Sequence, residues 1–472
     1  MGIFTTASLE EGRETAEDTE GRKLGMMTDC EKTKKRGWLR GIKIGCLSLV
    51  ALVLIIVFVA VGWFFYVTRE VEVHDEDLVV TFENVPDEVN GYFALERARN
   101  VLEESDFNTE AFWVTNHVPS DQNLKAYRLF VAENPDVLTE FYSVAEYGHC
   151  RCPIDEGVPI FMQDIMPVIG VLTLSNLALC HIEFLIREGR DDEALGCLVS
   201  HMRIGQMIQN DANNLVRGMI GLVVHKQSLS LLTDYLSQGE FSAEFLPVFK
   251  ELSVALREGS DWSRMIKAEY CHVKSICSYV SENIEQEMSG FRAEFEAEGE
   301  NLSFMEWPIY GRSHRFLYNE SQTLRPVAKF YHEFFKSVDN PDAQPDFLIL
   351  DVESFSAVDW IRLYISGNIV GPLIHAVSIP SIANINRLIL KQKSKARLIE
   401  LYSAVWEYHE AKGSLPDELS QLVPKYISEL PLDPYGNGAG FLYDPASKVI
   451  YSAGVERSEP QDDLRISLGF EK

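Results

Sequence analysis

A chain of 472 residues that is 46% hydrophobic has ample material for a packed core, and its length suggests two or three domains. Its formal net charge of −28 would repel phosphate backbones, which excludes nucleic acid as a partner and argues against an anionic lipid surface for the bulk of the chain. Eight cysteines over this length do not make a disulfide scaffold, although an exported domain has room for one or two bridges.

Residues 1–40 mix Glu, Asp, Thr, Gly and Lys without apolar periodicity, the composition of a disordered tail. The run from Ile44 to Val67 then holds no charged residue and is dominated by Leu, Ile, Val and Phe. At about 1.5 Å per residue it reaches roughly 36 Å against a hydrocarbon core of about 30 Å, which predicts one membrane-spanning helix within 41–68. Trp63 and Tyr66 suit an interfacial aromatic belt. Lys32, Lys34, Lys35, Arg36, Arg40 and Lys43 precede the run, and Glu70, Glu72, Asp75, Glu76 and Asp77 follow it. The positive-inside rule therefore predicts a cytoplasmic amino terminus and an extracytoplasmic main domain. A cleaved signal peptide is the rival reading, with Ala60 and Gly62 as a loose small-x-small pair, but its n-region would be far too long.

Residues 69–90 read as a polar tether with one short strand at 78–82, and Pro86 and Asp87 open the first helix. Through 91–380 apolar residues recur at three- and four-residue intervals, which predicts a multi-helix domain. The expected helices are 91–104, 121–132, 161–187, 191–209, 213–237, 242–257, 261–299, 315–338 and 357–366, followed by a long helix over 381–412. The stretch 166–180 is the most apolar of these and reads as a buried core helix too short to span. Gly189, between LIREGR and an opening DDEAL, predicts a helical hairpin. Cys180 and Cys197 lie about nine and eight residues from it on opposite arms, a spacing open either to a disulfide or to two buried thiols. His149, Cys150 and Cys152 in GHCRCP resemble a fragment of a metal site without a second matching pair.

Beyond residue 412 short segments rich in Pro, Gly, Asp and Tyr replace the helical pattern, and alternation at 441–443 and 449–452 predicts a β-hairpin. Several elements of this tail carry a family likeness: the spacing of Tyr408, Gly413 and Pro416, then Leu419 and Leu422, then Pro431, Asp433, Pro434 and Gly436, and finally Tyr451 and Gly454. In combination they resemble the globular head of the type II secretion major pseudopilin and of type IV pilin-like proteins. That resemblance implies a small α+β unit over 381–472 and an association with a secretion or pilus-like assembly. It also implies a calcium loop, for which Asp462 and Asp463 stand where later acidic ligands would fall, while Val455-Glu456-Arg457-Ser458 replaces the family's Asp-Gly start. The processing pattern departs too, because Cys46 follows Gly45 and Val50 stands at the fifth position, where the family has Glu. Stretches such as VPDEVNGYFALERA and TLRPVAKFY are similar to uncharacterised bacterial single-span membrane proteins with the same tail.

No Gly-x-Ser-x-Gly elbow, His-Glu-x-x-His, phosphate loop or dinucleotide fingerprint occurs. His181, His201, His225 and His272 fall within predicted helices and read as structural. No catalytic or cofactor-binding residue is assigned. The expected architecture is therefore mainly α: one transmembrane helix, a multi-helix extracytoplasmic domain and a pseudopilin-like tail. Two functions remain, a non-enzymatic envelope scaffold or binding protein held to membrane lipid by one span and meeting envelope proteins, and an envelope hydrolase with scattered catalytic residues.

Overall fold

The structure, a computed structural model, describes residues 49, 51–105, 119–163, 168–238, 245, 247–249, 262–297, 318–338, 356, 358–359, 362, 366, 368, 370–436, 438–454 and 464–469. The chain divides into two compact units, Met1–Arg69 and Glu70–Lys472. In the first, helix α1 (Ala51–Val67) is apolar and its side chains are exposed almost throughout, with Phe58 at 79% and Leu54 at 62%. Its last turn closes with the Thr68 hydroxyl donating to the Phe64 carbonyl (2.7 Å), and the Arg69 guanidinium lies 5.8 Å from the Tyr66 ring centroid.

The second unit is built mainly from helices: α2 (Tyr92–Glu104), α3 (Asp121–Glu133), α4 (Asp136–Ser143), α5 (Val168–Arg187), α6 (Asp191–Asn210), α7 (Leu215–Gln238), α8 (Trp262–Ala297), α9 (Glu320–Val338) and α10 (Val370–Lys412). Local chemistry sets several ends. Ser120 accepts from the Asn123 backbone N–H (3.2 Å) while Asn123 accepts from the Ser120 N–H (3.0 Å), a capping box that starts α3. At the predicted hairpin, Gly189 has φ +69°, its N–H donates to Ile186 (2.9 Å), and the Arg190 N–H donates to Leu185 (2.9 Å). This is a Schellman stop, after which α6 begins at once with three acids on its positive end.

Several expectations change. Helix α4 was not foreseen, and α10 begins eleven residues before the expected start and runs through Pro380 (370 against 381). Helix α5 is 20 residues long, apolar enough to cross a membrane by length and composition, yet 67% buried inside the unit. Residues 78–82 form no strand; the tether turns at 76–78 and sinks Leu78 completely. The helices expected at 242–257 and 357–366 lie largely outside the described residues, as does the tail at 1–40.

Packing falls into three main clusters. One joins α2, α3 and α4 to α5 and α6 through Leu95, Leu124, Phe141, Leu174 and Ile208. A second joins α5, α6, α7 and α10 to the carboxy-terminal strands through Leu229, Leu398, Val405, Ile450 and Ile466. The third packs the tether, α8 and α9 together through Leu78, Tyr270, Tyr331 and Phe334. Helices α6 and α7 touch backbone to backbone, since a Cβ on Gly221 would lie 2.5 Å from the Gln209 nitrogen and 2.6 Å from the Gly205 oxygen.

The tail carries the expected hairpin, β3 (Leu442–Asp444) with β4 (Val449–Tyr451), antiparallel with Tyr443 opposite Ile450. Strand β5 (Arg465–Ser467) adds to β4, and a separate pair, β1 (Leu432–Asp433) with β2 (Ala439–Gly440), lies beside it in sequence. The fold is therefore mainly helical with a few small sheets.

Candidate functional site

Helices α8 and α9 run antiparallel, as three contacts fix: Trp262 on Phe335 (ring centroids 5.6 Å), Tyr270 on Tyr331 (5.3 Å) and the Ser278 hydroxyl donating to Glu320 (2.6 Å). The tether crosses them. Its Asp75, 7% exposed, accepts from the Tyr270 hydroxyl and from Lys274 Nζ (2.6 Å), and the Val71 N–H donates to Ser321 Oγ (3.1 Å). His332 Nε2 meets Asp77 Oδ1 at 2.9 Å, and this bond holds the Asp77 carboxyl below the usual carboxylate range.

Between tether and helices lies an open groove of about 850 Å³. Its wall on α9 presents Arg325, Lys329, His332 and Lys336, spaced four, three and four residues apart and so aligned along one helical face. Lys267 joins from α8, its Nζ 5.9 Å from the Phe335 ring centroid, while Pro326, Ala328 and Phe335 supply apolar surface. Three acids stand here too: Asp77 is taken by His332, Glu333 by Lys329 (3.5 Å), and exposed Glu72 lies 3.8 Å from His74, so the four cations Lys267, Arg325, Lys329 and Lys336 outnumber the acids by one. Among the described residues Arg325 and Lys336 make no ion pair, and both are exposed. A protein of net charge −28 thus concentrates cations along one face of one helix. Sequence reading missed these residues, although their four-three-four spacing was there to find.

A second polar cluster has the outline of a catalytic pair but lacks access. Ser175 Oγ lies 2.8 Å from His201 Nε2, and His201 Nδ1 lies 2.6 Å from Ser228 Oγ. Ser175 donates to Gln227 Oε1 (2.8 Å), Gln227 Nε2 donates to Asn176 Oδ1 (3.1 Å), and the Ser228 hydroxyl donates to the Val224 carbonyl (3.1 Å). Ser175, His201 and Ser228 are each 0% exposed, so no substrate reaches them, and the third member is a hydroxyl instead of a carboxylate. Burial pushes the His201 imidazole down to about 3, so it is neutral in ordinary buffers. His225, beside it, is likewise pushed to about 3 and bonds Gln392 of α10. His181 bonds the Tyr127 hydroxyl (2.6 Å), and His272 packs edge-on to Phe161.

Part of the tail's motif surrounds one buried carboxylate. Asp433, 0% exposed, accepts from the hydroxyls of Ser394 on α10 (2.6 Å) and Ser452 (2.5 Å) and from the Tyr435 N–H (3.1 Å). Gly436 is held so close that a Cβ there would meet Asp433 Oδ2 at 2.3 Å. Pro431 and Pro434 bracket this strand, Tyr451 ends β4, and the Gly454 N–H donates to Ser452 Oγ (3.1 Å). Gly413 ends α10, donating to the His409 carbonyl (2.7 Å), and the Pro416 carbonyl accepts from the Tyr443 hydroxyl (2.9 Å). Asp462 and Asp463 lie outside the described residues. In GHCRCP a carboxylate organises the segment: Asp211 takes the Cys150 N–H (2.9 Å), Arg151 (2.7 Å) and His149 (3.3 Å). Among the described residues no group of three or more His, Cys, Asp or Glu could hold a metal ion.

Cys180 and Cys197 are free thiols in the structure. Cys180 is buried in the cluster of α2, α3 and α4, where desolvation pushes it up to about 12, and Cys197 packs against the other cluster of α5. The hairpin forms, and its two cysteines share Tyr142 as a neighbour, Cys197 hydrogen-bonding with the Tyr142 side chain.

Comparison with known families, curated proteins and solved structures returns no match to this chain.

Proposed function

We propose that the chain is a single-span protein of a bacterial inner membrane, with its amino terminus in the cytoplasm and its helical unit outside, acting as a binding or scaffold protein. The observation that carries this reading is the contrast between two apolar helices. Helix α5 hides two-thirds of itself in the protein core, whereas α1 exposes Leu, Ile, Val and Phe around its whole circumference. An apolar helix exposed on every side is stable only where the solvent is itself apolar, which a bilayer provides. The lysines and arginines before it in sequence, against acids after it, set the orientation.

Binding is favoured over hydrolysis because the Ser175–His201 pair is sealed in the core while the cationic groove is open. Partners are envelope molecules of anionic character that meet this groove. The tail, read as pseudopilin-like, shares a core with α5, α6 and α10, an arrangement suited to a fixed module presented to a secretion or pilus-like assembly and not to a polymerising pilin. A reporter active only outside the cytoplasm, fused after Lys472, tests the topology. Activity of the fusion, together with resistance of the protein to extraction by alkaline carbonate, is expected; cytoplasmic activity or release into the soluble fraction would overturn the reading.

A further inference from the structure

The groove's chemistry narrows what it holds. The cations on α9 run from Arg325 to Lys336, about 16 Å at 1.5 Å per residue, longer than one small anion and suited to a surface with repeated negative charge. Arg325 and Lys336 are exposed without ion pairs among the described residues, and Lys267 stands over Phe335. Apolar atoms of Pro326, Ala328 and Phe335 lie beside the cations, so the groove offers hydrocarbon contact and charge together. Its tether residues Glu72, His74 and Asp77 follow the exposed apolar helix by only five, seven and ten positions in the chain. A soluble polyanion would use the charges but not the apolar atoms, and would have no reason to sit next in sequence to a membrane anchor.

We infer that this groove binds the phosphate-bearing headgroups of anionic phospholipids, with the stripe from Arg325 through Lys329 to Lys336 meeting the phosphates of adjacent lipids and Phe335 and Pro326 against glycerol and upper acyl carbons. The inference rests on the reading of the chain as membrane-anchored. The whole-chain charge of −28 opposes adsorption of the unit at large on an anionic surface, which makes the local stripe the point of contact. Each cation near an anionic lipid surface strengthens binding roughly fivefold, so neutralising three is expected to weaken it about a hundredfold.

The test uses the full chain in dodecyl maltoside micelles, titrated calorimetrically with dihexanoyl phosphatidylglycerol, dihexanoyl phosphatidylcholine, inorganic phosphate and a poly-glutamate peptide. Phosphatidylglycerol is expected to bind at least tenfold more tightly than the other three. The triple variant R325Q/K329Q/K336Q is expected to lose at least tenfold, whereas K125Q/K412Q/K425Q, the same charge change on exposed sites elsewhere, leaves binding unchanged. All three groove substitutions lie on exposed positions of α9, and circular dichroism checks that the variant keeps its helices. Equal binding of the two lipids would overturn the anionic preference. Inorganic phosphate binding as tightly as the lipid would make this a small-anion site, and tighter binding of poly-glutamate would make it a protein-docking face; either overturns the proposal. An unaffected triple variant would overturn the location. Each of these outcomes leaves the reporter test of membrane topology standing, so the two readings fail separately.

Discussion

Lowering the pH from 7 to 5 should destabilise the helical unit through two buried histidines. His201 and His225 are both fully enclosed, and burial pushes each to about 3, against about 6.5 in an unfolded chain. Above pH 6.5 neither state binds the proton, so the histidines contribute no pH dependence. Between 6.5 and 3 the unfolded state takes up protons that the native state refuses, and stability falls with pH. At pH 5 this amounts to about 1.5 pH units, or roughly 2 kcal/mol for each histidine and about 4 kcal/mol for the pair. Half-buried Glu269 works the other way, since desolvation raises its carboxyl and protonating it favours the native state. The histidine contribution is therefore isolated by comparing the protein with H201Q and H225Q in urea titrations at pH 7 and pH 5. Each variant is expected to be less stable at pH 7 yet to lose about 2 kcal/mol less on acidification. Equal losses in protein and variants, or imidazole resonances of these residues titrating near 6.5 in the native state, would refute the reasoning.

Gly221→Ala places a methyl within contact of the α6 backbone and should cost about 3 kcal/mol by prising α6 from α7; an unchanged urea midpoint would contradict the close crossing. Asp433→Ala removes the acceptor of two buried hydroxyls and one N–H, so the tail should lose about 3 kcal/mol and become sensitive to limited proteolysis between residues 413 and 454 while α2 to α5 stay protected. Peptide mapping of unreduced protein is expected to find Cys180 and Cys197 as separate thiols, with Cys180 alkylating slowly until the protein unfolds; a bridged peptide would contradict the two free thiols of the structure.

The helices were legible in the sequence where apolar spacing and a local stop agreed. Gly189 with the acids of DDEAL marked one turn, and the ends of α2, α3 and α6 fall within a residue or two of where periodicity put them. Helix α4 escaped because eight residues directly after Pro135 are too few for the period to show. The start of α10 was misplaced because Pro380 reads as a stop, although a proline removes one backbone donor without having to end a long helix. Composition makes residues 69–90 a polar tether, yet Asp75 and Leu78 are buried, and Asp75 pairs with Lys274 and Tyr270 about two hundred positions away. That long-range pairing is also why the groove was invisible: the stripe on α9 is local, but its opposite wall is the tether, and no short-range signal joins them.

The central claim, that the groove is where this protein meets its ligand, is tested most directly by photo-crosslinking in living cells. A photoreactive amino acid replaces Lys329 in the full chain, with the same substitution at exposed Lys125 on α3 as the control. The account predicts an adduct of defined mass from position 329 that position 125 does not give and that R325Q/K336Q abolishes. No adduct at 329, or the same adducts from both positions, would contradict it.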